Sequence, residues 1–430
     1  MLEGDVSMNK KVKVGIAGLM IGSVLLLTGC NLKRDSKEGS MLDNPSYVEP
    51  AGDINESVKG IEDVHEVQVS VDVYSLLENK GYHLNMFPEF EKDTLDSHKY
   101  TTFKHNLGVT NMDVNFRVGP GMDYKSMETL PADTAVDLVA KCDNDWFLVQ
   151  RNGSLGFIKG EYVREVNEEA IYDAMRELPE LIPVVYAKTD VNVRPEANTN
   201  NQAYTTLKQG QSLRMVRKED NGWYQVLYDG KVSYVNGDYV KEAVAVDGEA
   251  LQLVSINKDT TVLDVPYGMD MGTIPQYEVA KVYGEIEGFY YIEGNGKIGY
   301  VPKENCTSLK GNYVVVDISD QTVSLYRDTN LLLQSSVTTG KDSTPSDLGL
   351  FDIDGKSTNT TLNGPGYSVG VKYWMPYNGG EGLHDASWRK SFGGDAYHSG
   401  GSHGCINMPD ETAKTIYENV NVGDQVVVKQ

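Results

Sequence analysis

The sequence feature that most constrains the fold is an internal repeat with a spacing of 77 residues. At this offset Val114–Arg117 aligns with Val191–Arg194, and Trp146 aligns with Trp223, without any gap. Agreement at several positions with one offset indicates a small structural unit that the chain uses more than once. We therefore expect the middle of the chain to contain copies of one small domain instead of a single large core.

The repeated units have the pattern of short β-strands. Apolar and polar residues alternate in runs separated by Gly, Asn and Asp, and the Asp-Gly pair inside Val226–Val232 predicts a two-residue hairpin turn. A weaker third copy lies 66 residues further on, where Gly288–Tyr290 aligns with Gly222–Tyr224, but it lacks the Asn-x-Arg opening of the other two. We predict a mainly β protein that contains small β barrels.

These units resemble bacterial SH3-type domains, which share the Asn-x-Arg opening, a central Trp-Tyr pair and a closing Gly followed by Tyr or Phe and Val. The resemblance covers residues 106–165, 184–242 and, in degenerate form, 251–309. It implies modules that often bind cell-wall peptides or glycans. The alternative is that the repeats are spacers and that Trp146 and Trp223 are core residues, because a lone aromatic usually packs inside its domain.

The first thirty residues predict a lipoprotein signal peptide. Three lysines precede the apolar run Val14–Leu27, which is short for a membrane span. The run ends in Leu-Thr-Gly-Cys30, which resembles the lipobox of bacterial lipoproteins and implies lipidation of Cys30. We therefore expect residues 1–30 to be a signal peptide and the protein to be lipid-anchored in the cell envelope, on the extracytoplasmic face of the membrane; an uncleaved anchor helix is the alternative.

Residues 31–105 are interpreted as a tether followed by an unassigned segment. The stretch up to about Glu66 is polar and acidic without periodicity, as in a flexible tether. Val71–Tyr74 alternates like a strand, but the remainder has no clear period. Between the first two repeats, apolar residues at helical spacing within Val166–Leu181 predict a linker helix.

The overall charge argues against nucleic acid as a partner. The chain has 39 Lys and Arg against 62 Asp and Glu, which gives a net charge of −23. Such an excess of negative charge repels phosphate backbones.

Most of the chain's reactive side chains lie near its C-terminus. His384, His398, His403 and Cys405 fall within 22 residues, although the whole chain has only 7 His. A cysteine thiolate attacks carbonyl carbons, and a nearby His removes the thiol proton and returns it to a leaving amine. Cys405 and His384 supply such a pair, and we expect the base to lower the pKa of the thiol. The backbone N–H groups of Gly404 and Cys405 are candidate donors to an oxyanion.

A metal site is the alternative use of these residues. His384, His403 and Cys405 are possible ligands, but neither a carboxylate-rich second shell nor a Cys-x-x-Cys pair accompanies them. The other cysteines, Cys142 and Cys306, lie in strand-like surroundings and are predicted to be core residues. We therefore predict no metal and no cofactor.

Ser402–Asn407, with the sequence Ser-His-Gly-Cys-Ile-Asn, resembles the signature of YkuD-type L,D-transpeptidases. That signature is a His, a spacer and then Ser/Thr-His-Gly-Cys-x-Asn; here 17 residues separate His384 from Ser402. The resemblance covers residues 311–430. It implies a C-terminal, β-sandwich-like catalytic domain that acts on peptidoglycan stem peptides.

The resemblance also implies a role for each motif residue. Cys405 is the nucleophile and His384 the general base, with its ring oriented by the backbone carbonyl of Asp385 or, alternatively, by the Asp385 carboxylate. His403 and Gly404 shape the oxyanion site.

Four further residues are candidate substrate contacts by the same resemblance. Tyr377 and Trp388 are assigned to substrate binding, with core packing as the alternative for each. Ser402 and Asn407 belong to the same group, and Asn407 is also expected to hold the loop. His398 lies in the spacer, and we predict that it is a surface residue of a lid.

The resemblance to L,D-transpeptidases implies an enzyme that joins two stem peptides by a 3-3 cross-link. In the reaction that the resemblance implies, Cys405 forms a thioester with the third residue of a tetrapeptide and releases the terminal D-Ala, and an amine of a second stem peptide then attacks the thioester. Two alternatives remain open, an L,D-carboxypeptidase in which water attacks the thioester, and a non-catalytic scaffold that binds the cell wall.

Overall fold

The computed structural model of this chain describes residues 70–430, apart from residues 89, 91, 365 and 366. The predicted signal peptide, Cys30 and the tether up to about Glu66 lie outside the described residues. Over the described range the protein is mainly β, as the sequence predicts. No helix in this part of the chain has the length and apolar character needed to cross a membrane. The described residues fall into two compact units, one that ends at residue 168 and one that covers residues 169–430.

The described part of the first unit contains one short α-helix, several single-turn 3-10 helices and one antiparallel sheet. Its elements are α1 (Val73–Asn79), β1 (Tyr100–Thr101), β2 (Leu107–Thr110), β3 (Val114–Arg117), β4 (Ser126–Leu130), β5 (Ala135–Cys142), β6 (Trp146–Arg151), β7 (Ser154–Lys159) and β8 (Val163–Val166). The strand order is β4-β3-β7-β6-β5-β2-β8, and β1 pairs with β5. Strands β2 to β8 form the first repeat.

The segment that the sequence left unassigned belongs to the core of this unit. The strand-like alternation at Val71–Tyr74 is misleading, because α1 begins at Val73. The carboxylate of Asp72 accepts a hydrogen bond from the backbone N–H of Tyr74 at 3.1 Å, which caps the helix N-terminus. Val73 and Leu77 then pack in one cluster with Trp146 of the repeat. The hydrophobic contact with the repeat favours the helix over a strand.

The second unit begins within the predicted linker helix, which is present as α2 (Glu168–Arg176). The second repeat follows as β9 (Leu181–Ala187), β10 (Val191–Val193), β11 (Thr205–Leu207), β12 (Ser212–Lys218), β13 (Trp223–Tyr228), β14 (Lys231–Asn236) and β15 (Val240–Val246). Its main sheet has the order β14-β13-β12-β9-β15, and β10 pairs with β11. The predicted hairpin is confirmed, because Tyr228 pairs with Lys231 across a turn in which Asp229 and Gly230 both have positive φ.

The third repeat has the complete topology despite its weak sequence match. Its strands are β16 (Gln252–Ile256), β17 (Thr260–Leu263), β18 (Asp270–Ile274), β19 (Val279–Ile286), β20 (Phe289–Gly294), β21 (Lys297–Pro302) and β22 (Cys306–Leu309). Their order, β18-β17-β21-β20-β19-β16-β22, reproduces that of the first repeat strand for strand. The degenerate copy therefore keeps the fold after losing the Asn-x-Arg opening.

The C-terminal domain, residues 311–430, contains two sheets around one core. Its elements are β23 (Asn312–Asp317), β24 (Thr322–Arg327), β25 (Asn330–Ser336), β26 (Gly349–Asp352), β27 (Ser357–Gly364), β28 (Tyr367–Asn378), β29 (Glu381–Asp385), α3 (Tyr397–Gly400), β30 (Ile406–Met408), α4 (Asp410–Asn419) and β31 (Gln425–Lys429). The sheets have the orders β25-β24-β23-β31-β26 and β27-β28-β29-β30. Apolar residues of both sheets and of α4 share one buried cluster, as in a β-sandwich.

The third repeat and the C-terminal domain share a buried ion pair. The Lys429 ammonium lies 3.2 Å from a Glu278 carboxylate oxygen and 2.6 Å from one of Asp317, and its side chain is only 16% exposed. Burial opposes the charge of Lys429, but the two carboxylates raise its pKa above the usual value. Around this group, Leu253 of the third repeat packs with Tyr313 and other residues of β23 and β31.

Lys429→Met is expected to destabilise the protein by about 3 kcal/mol, because it leaves two buried carboxylates without their cation while keeping a similar side-chain volume. The matched control is Lys218→Met, which removes a pair with Glu242 whose partners are 59% and 53% exposed and which should change stability by less than about 1 kcal/mol. Urea unfolding of both variants measures the difference. Equal losses of unfolding free energy in the two variants would show that burial does not increase the contribution of the Lys429 ion pair to stability.

Candidate active site

Two adjacent parallel strands hold the two reactive residues of the C-terminal domain. His384 lies on β29, and Cys405 immediately precedes β30. The register pairs Leu383 with Ile406 and His384 with Asn407. The motif residues, separated along the chain by the spacer, therefore meet at one edge of the sandwich.

A backbone carbonyl fixes the orientation of the His384 ring. The ring is buried, and its Nδ1 lies 2.8 Å from the carbonyl oxygen of Asp385. A carbonyl only accepts hydrogen bonds, so Nδ1 carries the proton and Nε2 is left as the basic atom. The Asp385 carboxylate instead accepts the N–H groups of Lys372 and Tyr373, at 2.7 and 2.8 Å, and so ties β29 to β28. Of the two orienting groups that the sequence left open, the structure has the carbonyl.

The same surroundings keep the His384 imidazole neutral. Burial lowers its pKa, and the positive charge of Arg389 acts in the same direction, while Asp385 opposes both. The rings of Trp374 and Trp388 lie 5.8 and 5.9 Å from the imidazole, centroid to centroid. A neutral imidazole with a free Nε2 can accept a proton, as a general base must.

The Cys405 thiol is protonated at rest. The residue is 9% exposed, and its S–H donates to the carbonyl oxygen of Gly380 at 3.6 Å. Burial raises the pKa of the thiol to about 11; the N–H of Gly382 opposes this, and the nearby Glu381 carboxylate adds to it. The expectation that His384 lowers this pKa is therefore wrong for the resting site, because desolvation of the thiolate dominates. A thiol in this state must lose its proton to a base as it attacks.

The loop before Cys405 has an internal hydrogen-bond network. The Ser402 hydroxyl donates to the Cys405 carbonyl oxygen at 2.5 Å and accepts the N–H of Gly404 at 3.0 Å. The Gly404 N–H is thus engaged within the loop, contrary to the expectation that it faces an oxyanion. Gly404 has φ +115°, and a Cβ there would lie 2.4 Å from a carboxylate oxygen of Glu381, so the position requires glycine.

The remaining predicted residues fall into two groups. His403 and Asn407 lie beside Cys405 in the cavity described below, and the His403 Nε2 is 3.5 Å from the Lys341 ammonium. Asn407 also exchanges two backbone hydrogen bonds with Thr338, each 2.9 Å long, which fits a role in holding the loop.

Tyr377, by contrast, is 3% exposed and belongs to the core, which favours the packing alternative for this residue. Trp388 is 47% exposed and lines the cavity. His398 is on the surface, with its Nδ1 2.8 Å from the carboxylate of Asp342.

A cavity of about 280 Å³ connects these groups. Six of its lining residues are predicted site residues, namely His384, Trp388, Ser402, His403, Cys405 and Asn407. The sequence did not single out the other four, which are Leu362, Val369, Arg389 and Gly401. Among the residues that the structure describes, no group of three or more His, Cys, Asp or Glu side chains is arranged to hold a metal ion.

The sequence also missed Glu381, an acidic residue at the start of β29. Its carboxylate accepts the Asp347 N–H at 3.2 Å and the Tyr377 hydroxyl at 3.4 Å. Burial raises the pKa of Glu381 to about 7, and the neighbouring Asp347 charge adds to the shift. The sequence feature that could have drawn attention to Glu381 is its position as an ionisable residue directly after Gly379-Gly380, at the start of the strand that carries His384.

Glu381→Gln is expected to lower the pKa of Cys405 by about one unit, because it removes a like charge beside the forming thiolate. Alkylation of Cys405 should then be about tenfold faster at pH 8 to 9. Below about pH 7 the two rates should converge, since the wild-type carboxyl is itself protonated there. Iodoacetamide labelling against pH, followed by peptide mass spectrometry, measures this.

The control for this experiment is Glu411→Gln, which removes an exposed carboxylate from α4 and should leave the profile unchanged. Peptide mapping distinguishes labelling of Cys405 from labelling of Cys142 and Cys306. Burial raises the pKa of each of those two thiols to about 12. Identical profiles for Glu381→Gln and the wild type would show that burial alone sets the pKa of Cys405.

A buried Cys and an oriented His beside one cavity are the residue types that a cysteine nucleophile and its base require. Comparison with known families identifies two domains. Residues 311–428 match the L,D-transpeptidase catalytic domain (YkuD), and residues 189–241 match the bacterial SH3 domain. The chain therefore contains an L,D-transpeptidase catalytic domain and a bacterial SH3 domain.

Curated relatives match a short part of the chain. The probable endopeptidase p60 of Listeria welshimeri is 37% identical over 79 residues, which are 18% of this chain and 15% of that protein. The probable endopeptidase p60 of Listeria monocytogenes is 35% identical over 74 residues, 17% of this chain and 15% of that protein. The chain thus spans about 15% of the length of these relatives.

Solved structures are also similar to this chain. The catalytic domain of the Enterococcus faecium L,D-transpeptidase is 35% identical, with 28% of this chain and 98% of that chain covered and a TM-score of 0.27. An L,D-transpeptidase from Stackebrandtia nassauensis is 32% identical, with 28% of this chain and 55% of that chain covered and a TM-score of 0.24.

Proposed function

We propose that this protein is a peptidoglycan L,D-transpeptidase that forms 3-3 cross-links through a thioester on Cys405. The observation that carries the proposal is the site itself. A buried thiol and a neutral imidazole line one cavity, and the Asp385 carbonyl turns the imidazole so that Nε2 is its basic atom. The match of residues 311–428 to the L,D-transpeptidase catalytic domain supports the choice of substrate.

In the first half-reaction the donor stem peptide acylates the thiol of Cys405. As Sγ attacks the carbonyl carbon of the third residue, His384 Nε2 takes the thiol proton, so no free thiolate has to form in the buried site. The oxyanion is stabilised by the backbone N–H of Cys405 and by the His403 side chain, which lies beside it in the cavity. His384 then returns the proton to the departing D-Ala amine, and the thioester remains.

In the second half-reaction an amine of another stem peptide attacks the thioester carbonyl. His384 accepts a proton from the attacking amine and passes it to Sγ as the carbon–sulfur bond breaks, which restores the resting thiol and imidazole. The thioester retains enough of the energy of the cleaved peptide bond to form the new one, so the reaction requires no cofactor.

Water in place of the amine gives an L,D-carboxypeptidase on the same residues. The cavity favours the amine, because Leu362, Val369 and Trp388 give it an apolar lining that holds water poorly. The non-catalytic scaffold is disfavoured by the complete set of His384, His403 and Cys405.

Cys405→Ser is expected to reduce turnover of a stem tetrapeptide by at least about a thousandfold, because the serine hydroxyl is a much weaker nucleophile beside a neutral imidazole. Mass spectrometry of the wild-type protein with the tetrapeptide, or with a carbapenem, should show an adduct on Cys405. Thermal unfolding of the variant checks that the fold is intact.

The products of the same experiment separate the candidate functions. A cross-linked dimer indicates transpeptidation, and a tripeptide alone indicates carboxypeptidation. A folded wild-type protein that forms neither product nor adduct would leave only the scaffold.

We further propose a lipid anchor at Cys30 on the extracytoplasmic face and a wall-binding role for the repeats. Trp146 and Trp223 are buried in their domains, so they do not form the binding surface. A better candidate is a cavity of about 440 Å³ on the second repeat, whose lining includes Pro195, Arg217 and Tyr234.

Cys30→Ala is expected to abolish incorporation of labelled fatty acid and to move the protein from the membrane fraction to the soluble fraction, because a diacyl or triacyl anchor holds a protein stably in a membrane. Its activity on soluble tetrapeptide should not change, which provides the control. Membrane retention without lipid label would support an uncleaved anchor helix.

A further inference from the structure

The active-site cavity contains one permanently charged side chain, Arg389, among its lining residues in the described part of the chain. The lining also includes the apolar side chains of Leu362, Val369 and Trp388. The backbone N–H of Arg389 donates to the Ala386 carbonyl oxygen at 2.9 Å, which fixes its position just after the His384 strand. A guanidinium in an apolar cavity beside the nucleophile is a candidate for substrate recognition.

The guanidinium of Arg389 has no anionic partner within the described residues. One terminal nitrogen, Nη2, donates to the Gly400 carbonyl oxygen. Its Nε is shielded from solvent and has no hydrogen-bond partner in the described structure. Arg176 and Arg217, in contrast, each pair with a carboxylate on the surface.

An unpaired cation that is partly removed from water is unfavourable unless a ligand supplies the missing charge. Burial accordingly lowers the pKa of Arg389. The planar guanidinium binds a carboxylate through two parallel hydrogen bonds, which gives both strength and orientation. A carboxylate is therefore the ligand chemistry that fits this position.

We propose that Arg389 binds the free C-terminal carboxylate of the residue that is cleaved from the donor peptide. This inference rests on the proposed function, in which that residue leaves from the carbonyl attacked by Cys405. One residue spans about 3.5 Å of extended chain. Arg389 and Cys405 line the same cavity of about 280 Å³, so a single residue beyond the scissile bond keeps its carboxylate inside the cavity that the guanidinium lines.

The bound carboxylate also affects the base. The charge of Arg389 lowers the pKa of His384 in the resting site. A carboxylate on Arg389 neutralises that charge, so the imidazole becomes a stronger base when a correct donor is bound. Donor selection and activation of Cys405 are thereby coupled through one side chain.

Binding to Cys405→Ala protein tests the role of Arg389 without chemistry. The two probes are L-Ala-γ-D-Glu-L-Lys-D-Ala and the same peptide with a C-terminal amide. Calorimetry should show that the free acid binds roughly tenfold to a hundredfold more tightly than the amide, as expected for hydrogen bonds to a charged group. Adding Arg389→Gln should bring the two affinities together by weakening only the free acid.

Two further variants keep this test specific. Arg389→Lys keeps the charge without the planar guanidinium and should retain part of the preference. Lys390→Gln removes the neighbouring exposed cation, which does not line the cavity, and should leave both affinities unchanged. The affinity for the amide peptide reports in every variant whether the cavity is intact. Equal affinities in the Cys405→Ala protein, or no binding of either peptide, would overturn the assignment.

Turnover of the same two peptides by protein with Cys405 intact separates this inference from the proposed function. If the free acid binds through Arg389 but forms no adduct and no product, the proposed function fails and the carboxylate site stands. If the peptide is turned over and Arg389→Gln keeps the wild-type preference for the free acid, the proposed function stands and the role of Arg389 is refuted.

Discussion

The parallel pairing of β29 with β30 places His384 and Cys405, the proposed base and nucleophile, side by side, and the other features of the site depend on it. His384 pairs with Asn407, two residues after Cys405, so the register fixes the separation between the two reactive residues. The Asp385 carboxylate reinforces this arrangement by holding two N–H groups of β28. A shift by one residue would turn His384 to the opposite face of the sheet.

Burial then decides the charge state of the paired residues. It raises the pKa of Cys405 and lowers that of His384, so both favour the neutral form. A neutral resting pair differs from a preformed thiolate and imidazolium, because the thiol is protected from indiscriminate reaction with electrophiles. Reactivity then depends on the bound substrate, and two charges are placed to influence it, that of Glu381, which acts on Cys405, and that of Arg389, which acts on His384.

The sequence predicted the features that depend on neighbouring residues, and it did not predict those that depend on tertiary contacts. The Asp229-Gly230 hairpin was predictable because its turn type depends on two adjacent residues. Helix α1 was not, because its stability comes from contacts with Trp146, more than sixty residues away. The motif identified Cys405 and His384 as the reactive pair. It did not predict the pKa of the thiol, because that pKa depends on desolvation in the folded protein. Arg389 lies in the spacer of the motif, and only folding brings it into the cavity.

The ion pair of Lys429 also bears on how such proteins can be divided. The boundary near residue 310 lies between the third repeat and the L,D-transpeptidase catalytic domain, but one continuous apolar cluster crosses it, in which Leu253 and Leu309 pack with Tyr313 and Val427. A fragment cut at that boundary would expose apolar surface on both pieces and leave Lys429 without one of its two carboxylates. The third repeat is therefore not an interchangeable module. In recombination between related chains, it should be inherited together with the domain that follows it.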